Sequence, residues 1–516
     1  MSLTKVSYSM IQGAPFNVLD FGATGDGVTN DTAALQAAIT AAAGKSLYIP
    51  AGTYIVTTKL TSNAAIDVFG DGFSSVIKSN GILHTLEFTA SNVFVRNLKL
   101  EANSASSAGG IKLNATGMKT VLIENVFFNK VGPAVNIFTC NDVVVQNCIF
   151  DTTGYGVLQE AGYVSSNVIV NGCIARNLTA DFVEANCTNT APSQNWTISN
   201  NIYLGNASYP TPETEGRFVG ITSVKNVIIS SNQIEKVAGD AAIHLEDSLG
   251  ETIIDGNTFD NIVTSGGNSG YIYILNNAER TIISNNIFKR TNASLAKAYV
   301  VDVSSNTYSQ EFTFIGNRVV GESIFGNLGG LRFFAGSSPK LITNNIFESL
   351  TDCISGSVFP STISIVGNVF NSCAKCIYSD GVFDSTGGGG SNIFVEANSF
   401  SNSHDYNVVL GVNQNGTNPC DQITLIGNVF DKEVVINGNA TNRNTNTSIL
   451  NNVFTSTATY TGDTTPTNQV YFSNVFAGQN VGSVPGSYAN DAAAASASVP
   501  IGGLYRNGSV VQIRVT

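Results

Sequence analysis

Charge is scarce in this sequence. Only 12% of its 516 residues are Asp, Glu, Lys or Arg, about half the usual quarter. Tryptophan occurs once and histidine three times. No apolar run of about eighteen residues exists to span a membrane, and mean hydropathy is only +0.12. The opening MSLTKVSYSM lacks the basic-then-apolar order of a secretory leader. With 25 basic against 37 acidic side chains the net charge is −12, so a phosphate backbone would be repelled and nucleic acid is not an expected partner. The eight cysteines show no zinc-knuckle spacing, and the closest pair, Cys373 and Cys376, has no second pair or His cluster beside it. Neither a metal nor a cofactor is expected.

What is present is a repeat. An alternating apolar stretch ends in Asn, one residue, then an aromatic or aliphatic residue. The phrase runs from Asn125-Val126-Phe127 through Asn201-Ile202-Tyr203, Asn286-Ile287-Phe288 and Asn368-Val369-Phe370 to Asn452-Val453-Phe454. Cys148-Ile149-Phe150 and Cys173-Ile174-Ala175 keep the step with Cys in the Asn place. The interval averages about 27 residues, a period that signals a repeat architecture.

Segments such as Asp142 to Gln146 (DVVVQ) and Thr362 to Gly367 (TISIVG) have the period-two alternation of strands. No amphipathic helix recurs, which excludes helical solenoids and leucine-rich horseshoes. One unit is too short for a four-stranded propeller blade. The expected fold is all-β: a right-handed, single-stranded parallel β-helix of about 13 coils. In it the Asn would be inward at a bend, tolerating left-handed backbone and bonding the turns above and below. The Phe or Ile two residues later would stack on its copy in the next coil, and Cys148 and Cys173 would be buried reduced thiols.

The ends differ. Asn30 can cap a helix whose Leu35, Ala38, Ile39 and Ala42 follow helical spacing, suited to cover the first coil. From about Thr455 the phrase stops, and Asn507-Gly508 between apolar alternations signals a hairpin. The expected organisation is a neck over 1–15, a β-helix over 16–455 and a small C-terminal β element over 456–516 that serves trimerisation.

The segment FNVLDFGATGDGVTNDTAALQAAITAAAGKSLYIPAGTYIV, Phe16 to Val56, resembles the entry region of the pectate-lyase-like β-helix superfamily. Together with the preceding LTKVSYSMIQGAP and the coils, it is similar to bacteriophage tailspikes. The resemblance implies a homotrimer in the virion tail, attached through other tail proteins, that binds and cleaves bacterial capsular polysaccharide or O-antigen. Asp20, Gly25, Asp26, Asp31 and Pro50 carry that motif and read as structural. The polygalacturonase pattern of paired Asp and Gly-His-Gly is absent, so no catalytic residues carry over from it.

Aligning coils on the Asn ladder places DFVEAN, RFVGIT, AIHLED, YIYILN and VVDVSS side by side. With Val183, Val219, Ile243, Ile272 and Val301 inward, alternation sends Glu184, Gly220, His244, Tyr273 and Asp302 outward. The next outward column is Asn186, Thr222, Glu246, Leu275 and Ser304. Glycosidic hydrolysis needs a carboxylic acid and a carboxylate, which makes Glu246 one candidate and Glu184 or Asp302 its partner. Glu184 and Glu246 are two coils, roughly 10 Å, apart. Tyr271 and Tyr273 would stack on sugar, Arg217 would bind an acidic one, and His244 and Asp247 complete the substrate-binding set. An alternative is a site between subunits using Asp380, Asp384, Glu396 or Asp405. A lyase acting by β-elimination on a uronic-acid polymer and a non-catalytic spike are the competing readings.

Overall fold

The computed structural model describes residues 13–82, 84–103, 109–205, 216–237, 241–262, 270–276, 278–292, 297–304, 311–323, 326–333, 340–356, 362–379, 391–411, 421–437, 446–461, 470–472, 474–476, 490–496, 504–507 and 510–513. The chain divides into two compact units, residues 1–311 and 312–516. Each is built of parallel coils, the all-β solenoid class that the repeat predicts.

In the first unit a coil is three short strands, for example Val224–Ser230, Gln233–Glu235 and Ala241–Glu246. Each pairs in parallel with its counterparts one coil before and after. The second unit repeats the arrangement with Ile363–Val366, Val369–Asn371 and Lys375–Ser379.

Two adjacent residues share the work at the corner after the first strand. The first takes left-handed backbone: Asn200 at φ 57°, Ser231 at 57°, Gly256 at 65° and Asn285 at 55°. The second is the buried Asn. Asn232 Oδ1 accepts from the backbone N–H of Asn201 at 2.9 Å and from its Nδ2 at 3.0 Å, while Asn232 Nδ2 donates to Ile198 O at 2.9 Å. The expectation that one Asn would do both jobs is thus corrected. Any buried backbone N–H at such a bend must find an acceptor, and where the next coil carries Asn its side-chain amide supplies one.

The register at the start is corrected too. Asn125 is the left-handed residue, φ 50°; the ladder position in that coil is Val126, and Phe128 rather than Phe127 points inward. Cys148 and Cys173 do occupy ladder places, fully buried, and the Cys173 N–H donates to Asn201 Oδ1 at 2.9 Å. In the second unit the ladder runs from Asn317 to Asn474. The Asn474-Val475-Phe476 rung lies past Thr455, where the sequence reading ended the phrase. Beside the ladder Phe347, Phe370 and Phe400 stack at centroid separations of 5.1 and 4.7 Å, with rings within 6° of parallel.

The N-terminal helix spans Thr32–Ala41 and buries Leu35, Ala38 and Ile39. Asn30 Oδ1 accepts from the Thr32 N–H at 3.1 Å. Asp31 turns back instead, accepting from the backbone of Thr24 at 2.7 Å and Gly25 at 3.2 Å. It thereby fixes a turn in which Gly25 and Gly27 are both left-handed, φ 67° and 77°. At the other end Leu504–Asn507 and Val510–Ile513 pair antiparallel; Gly508 lies outside the described residues.

Candidate functional site

The strands Val183–Asn186, Val219–Thr222, Ala241–Glu246, Gly270–Leu275 and Ala298–Ser304 lie side by side in the first unit. Their register sets Glu184 against Gly220, Gly220 against His244, His244 against Tyr273 and Tyr273 against Asp302. The second column, Asn186, Thr222, Glu246, Leu275 and Ser304, is likewise continuous. Both columns match the alignment read from the sequence. Stacked coils hold this register because a slip of one residue would turn every apolar side chain outward.

Column membership does not guarantee access. Asp302 is fully buried, and so is Tyr271. The Tyr271 hydroxyl donates to Lys289 O at 3.3 Å and its ring centroid lies 6.4 Å from that of Phe288. It packs inside the coil and offers no face to a sugar, contrary to the stacking expected of it. Burial likewise removes Asp302 from the exposed carboxylates.

A second carboxylate, Asp181, is also nearly buried but lies at the Gly220 gap. It lies two residues before the strand that carries Glu184, and only 6% of its surface is exposed. The Arg217 backbone N–H donates to Asp181 Oδ1 at 2.7 Å, and Arg217 Nη1 lies 3.4 Å from Oδ2. A Cβ on Gly220 would collide with that Oδ2. The missing side chain in the column is therefore filled by the Asp181 carboxylate, one coil step of about 4.8 Å from the place of Glu184. Arg217, expected to bind an acidic sugar, is instead engaged with Asp181.

Tyr155, half-buried, closes this group. Burial, then the charges of Glu184 and Asp181 and its hydrogen bond to Glu184, push its hydroxyl up to about 12, so it is a donor at neutral pH. Asn186 Nδ2 also donates to Glu184 Oε1. Glu246 is half-buried and accepts from Asn276 Nδ2 at 3.1 Å. The His244 and Tyr273 rings sit 5.2 Å apart. Asp247 is a left-handed corner residue, φ 48°, whose N–H donates to Leu275 O.

The same sheet carries polar residues that sequence reasoning missed. The first column continues back through Leu158, Asn136, Lys112 and Glu87 to Thr61. Glu87 accepts from Lys59 Nζ and from Asn114 Nδ2 at 2.8 Å, with Lys112 Nζ at 3.8 Å. The glycine in an otherwise side-chain-lined column was the signal for Asp181. These earlier coils gave no such mark, because Val126 and the two cysteines interrupt the Asn phrase by which coils are aligned.

Of the carboxylates weighed for a site between subunits, Asp380 and Asp384 lie outside the described residues. Asp405 Oδ1 is 2.5 Å from His404 Nδ1. Glu396 ends a strand, paired with Val366 and Ile426.

A family model described as rhamnogalacturonase A/epimerase, pectate lyase-like, matches residues 15–85, a span that contains the Phe16 to Val56 segment. Mannuronan C5-epimerase AlgE2 of Azotobacter vinelandii is 43% identical over 72 residues, 12% of this chain and 7% of that protein. The chain thus spans under a tenth of that relative's length. Among solved structures, the catalytic unit of the GH87 alpha-1,3-glucanase of Streptomyces thermodiastaticus is 16% identical with a TM-score of 0.48, over 77% of this chain and 70% of that one. The bacteriophage Phi29 gene product 12 N-terminal fragment is 13% identical, also at 0.48, over 89% and 93%. At these identities and scores neither bears on function.

Proposed function

We propose that this chain is a polysaccharide depolymerase of the phage tailspike type, a homotrimer of the virion tail that hydrolyses glycosidic bonds of bacterial capsule or O-antigen. The observation that carries the reading is the carboxylate pair at the gap in the column: Glu184 in register with Gly220, and Asp181 over Gly220. Hydrolysis needs two carboxyl groups with distinct roles. Arg217 supports negative charge on Asp181 through two bonds, which suits a nucleophile or base. Glu184, the other member of the pair, is assigned as the proton donor.

Glu184 and the Asp181 carboxylate thus occupy neighbouring places in one column. Glu246, two coils or roughly 10 Å along the sheet from Glu184, is read instead as a substrate-binding group beside His244 and Tyr273.

The test is reducing-end release from capsule and O-antigen by wild type, Glu184→Gln, Asp181→Asn and Glu246→Gln, with an unboiled SDS gel to report the trimer. The first two variants lose roughly a hundred- to ten-thousand-fold in rate while Glu246→Gln loses chiefly affinity. Wild-type rates in Glu184→Gln and Asp181→Asn would sink the assignment. The similarity of a short segment to mannuronan C5-epimerases favours one second reading, proton abstraction beside a uronic carboxylate. A lyase of that kind would release products that absorb in the ultraviolet.

A further inference from the structure

On the coils before the carboxylate pair, the described face holds a second group of side chains with its own chemistry. Phe138 is half-buried and Tyr163 is 41% exposed, their rings 4.7 Å apart at 67°. Lys112 Nζ sits 4.2 Å over the Phe138 ring. Asn136 Nδ2 donates to Glu160 Oε2 at 3.1 Å. Asn136 is two register steps before Glu184, so about 10 Å along the sheet.

We infer that this patch is a subsite for an uncharged, hydroxyl-bearing sugar ring, with Tyr163 and Phe138 as the apolar platform and Glu160 and Lys112 as the hydrogen-bonding edge, buried Asn136 holding Glu160 in place. The inference rests on the polysaccharide reading and adds to it the charge class of the polymer. An aromatic surface flanked by one acceptor and one ammonium matches a ring with an apolar face and a rim of hydroxyls, because each hydroxyl can both give and take a bond.

Charge decides against an acidic sugar. On this face from Lys59 to Asp247 the described cations are Lys59, Lys112 and Arg217, and each is already held by a carboxylate: Glu87 takes both lysines and Asp181 takes the arginine. The carboxylates there number six: Glu87, Glu160, Asp181, Glu184, Glu246 and Asp247. Buried His84 behind Lys112 adds no charge near neutral pH, since burial, with Lys112 next, holds its pKa down at about 4. A uronate would have to break an existing ion pair or approach a net negative surface. A neutral ring meets neither cost.

The experiment is retention of the full chain on an array of bacterial surface polysaccharides sorted into uncharged and acid-bearing polymers, at low and high salt. Strongest retention falls on uncharged polymers and changes less than about twofold with salt, as expected when no charge pair is screened. Tyr163→Ala, at an exposed position, weakens it at least about tenfold, the scale of one lost aromatic contact of ~1.4 kcal/mol, and Glu160→Gln weakens it less. Preference for acid-bearing polymers with salt-sensitive retention overturns the subsite while leaving polysaccharide binding intact. So does unchanged retention in both variants. Absence of retention on every polymer overturns the polysaccharide reading itself, and the subsite with it.

Discussion

Asp181 and Gly220 exclude one another's alternatives: the carboxylate lies where any side chain at position 220 would begin. The glycine is not needed for its backbone angle, since it is absent from the positive-φ residues; it is needed for space. Gly220→Ala should push Asp181 away from Arg217 and cut polysaccharide cleavage by at least about tenfold. The overpacking should cost roughly 1–3 kcal/mol without unfolding the chain. Cleavage rate and a thermal melt on the same sample check both halves.

Removing the other partner should cost more stability. Arg217→Ala leaves a 6%-exposed carboxylate beside a glycine with its side-chain cation gone, and breaking such a pair costs about 3–5 kcal/mol. Asp181→Asn with Arg217→Ala should recover part of that loss in urea unfolding. Additive losses would show the pair to be uncoupled.

The interior ladder predicts graded damage in the second unit. Asn368 accepts from the Asn345 N–H and Nδ2, both at 2.9 Å, and donates to Ile342 O at 2.9 Å. Asn368→Ala strands all three groups and should cost about 3 kcal/mol. Asn368→Cys should be milder, because Cys already holds ladder places 148 and 173. Denaturant midpoints rank the two.

Acid should weaken the first unit through His84. Its folded pKa of about 4 lies below the ordinary 6.5, so the unfolded chain binds the extra proton between those values. The contribution is fully present above pH 6.5 and is lost as pH falls toward 4. His84→Gln should flatten the stability profile in that window alone, as chemical denaturation at stepped pH would show.

Much of this was legible in the sequence. The Asn phrase predicted parallel coils, and period-two alternation put Glu184, Gly220, His244, Tyr273 and Asp302 in one column. Both follow from local rules, since identical coils can stack only when like residues fall above like and apolar ones stay inside. Two details within reach were misjudged: Asn125 belongs to the left-handed position before the ladder, and the ladder continues to Asn474.

Tertiary structure alone decided which column members are exposed. Tyr271 and Asp302 share an outward parity yet are buried, and Asp181, outside any strand, supplies the carboxylate that the column lacks. Burial at a coil's corner depends on how non-repeating bends fold over the sheet, and no periodicity encodes that. The sequence by itself determined a stack and its register; the packing of the bends determined the site.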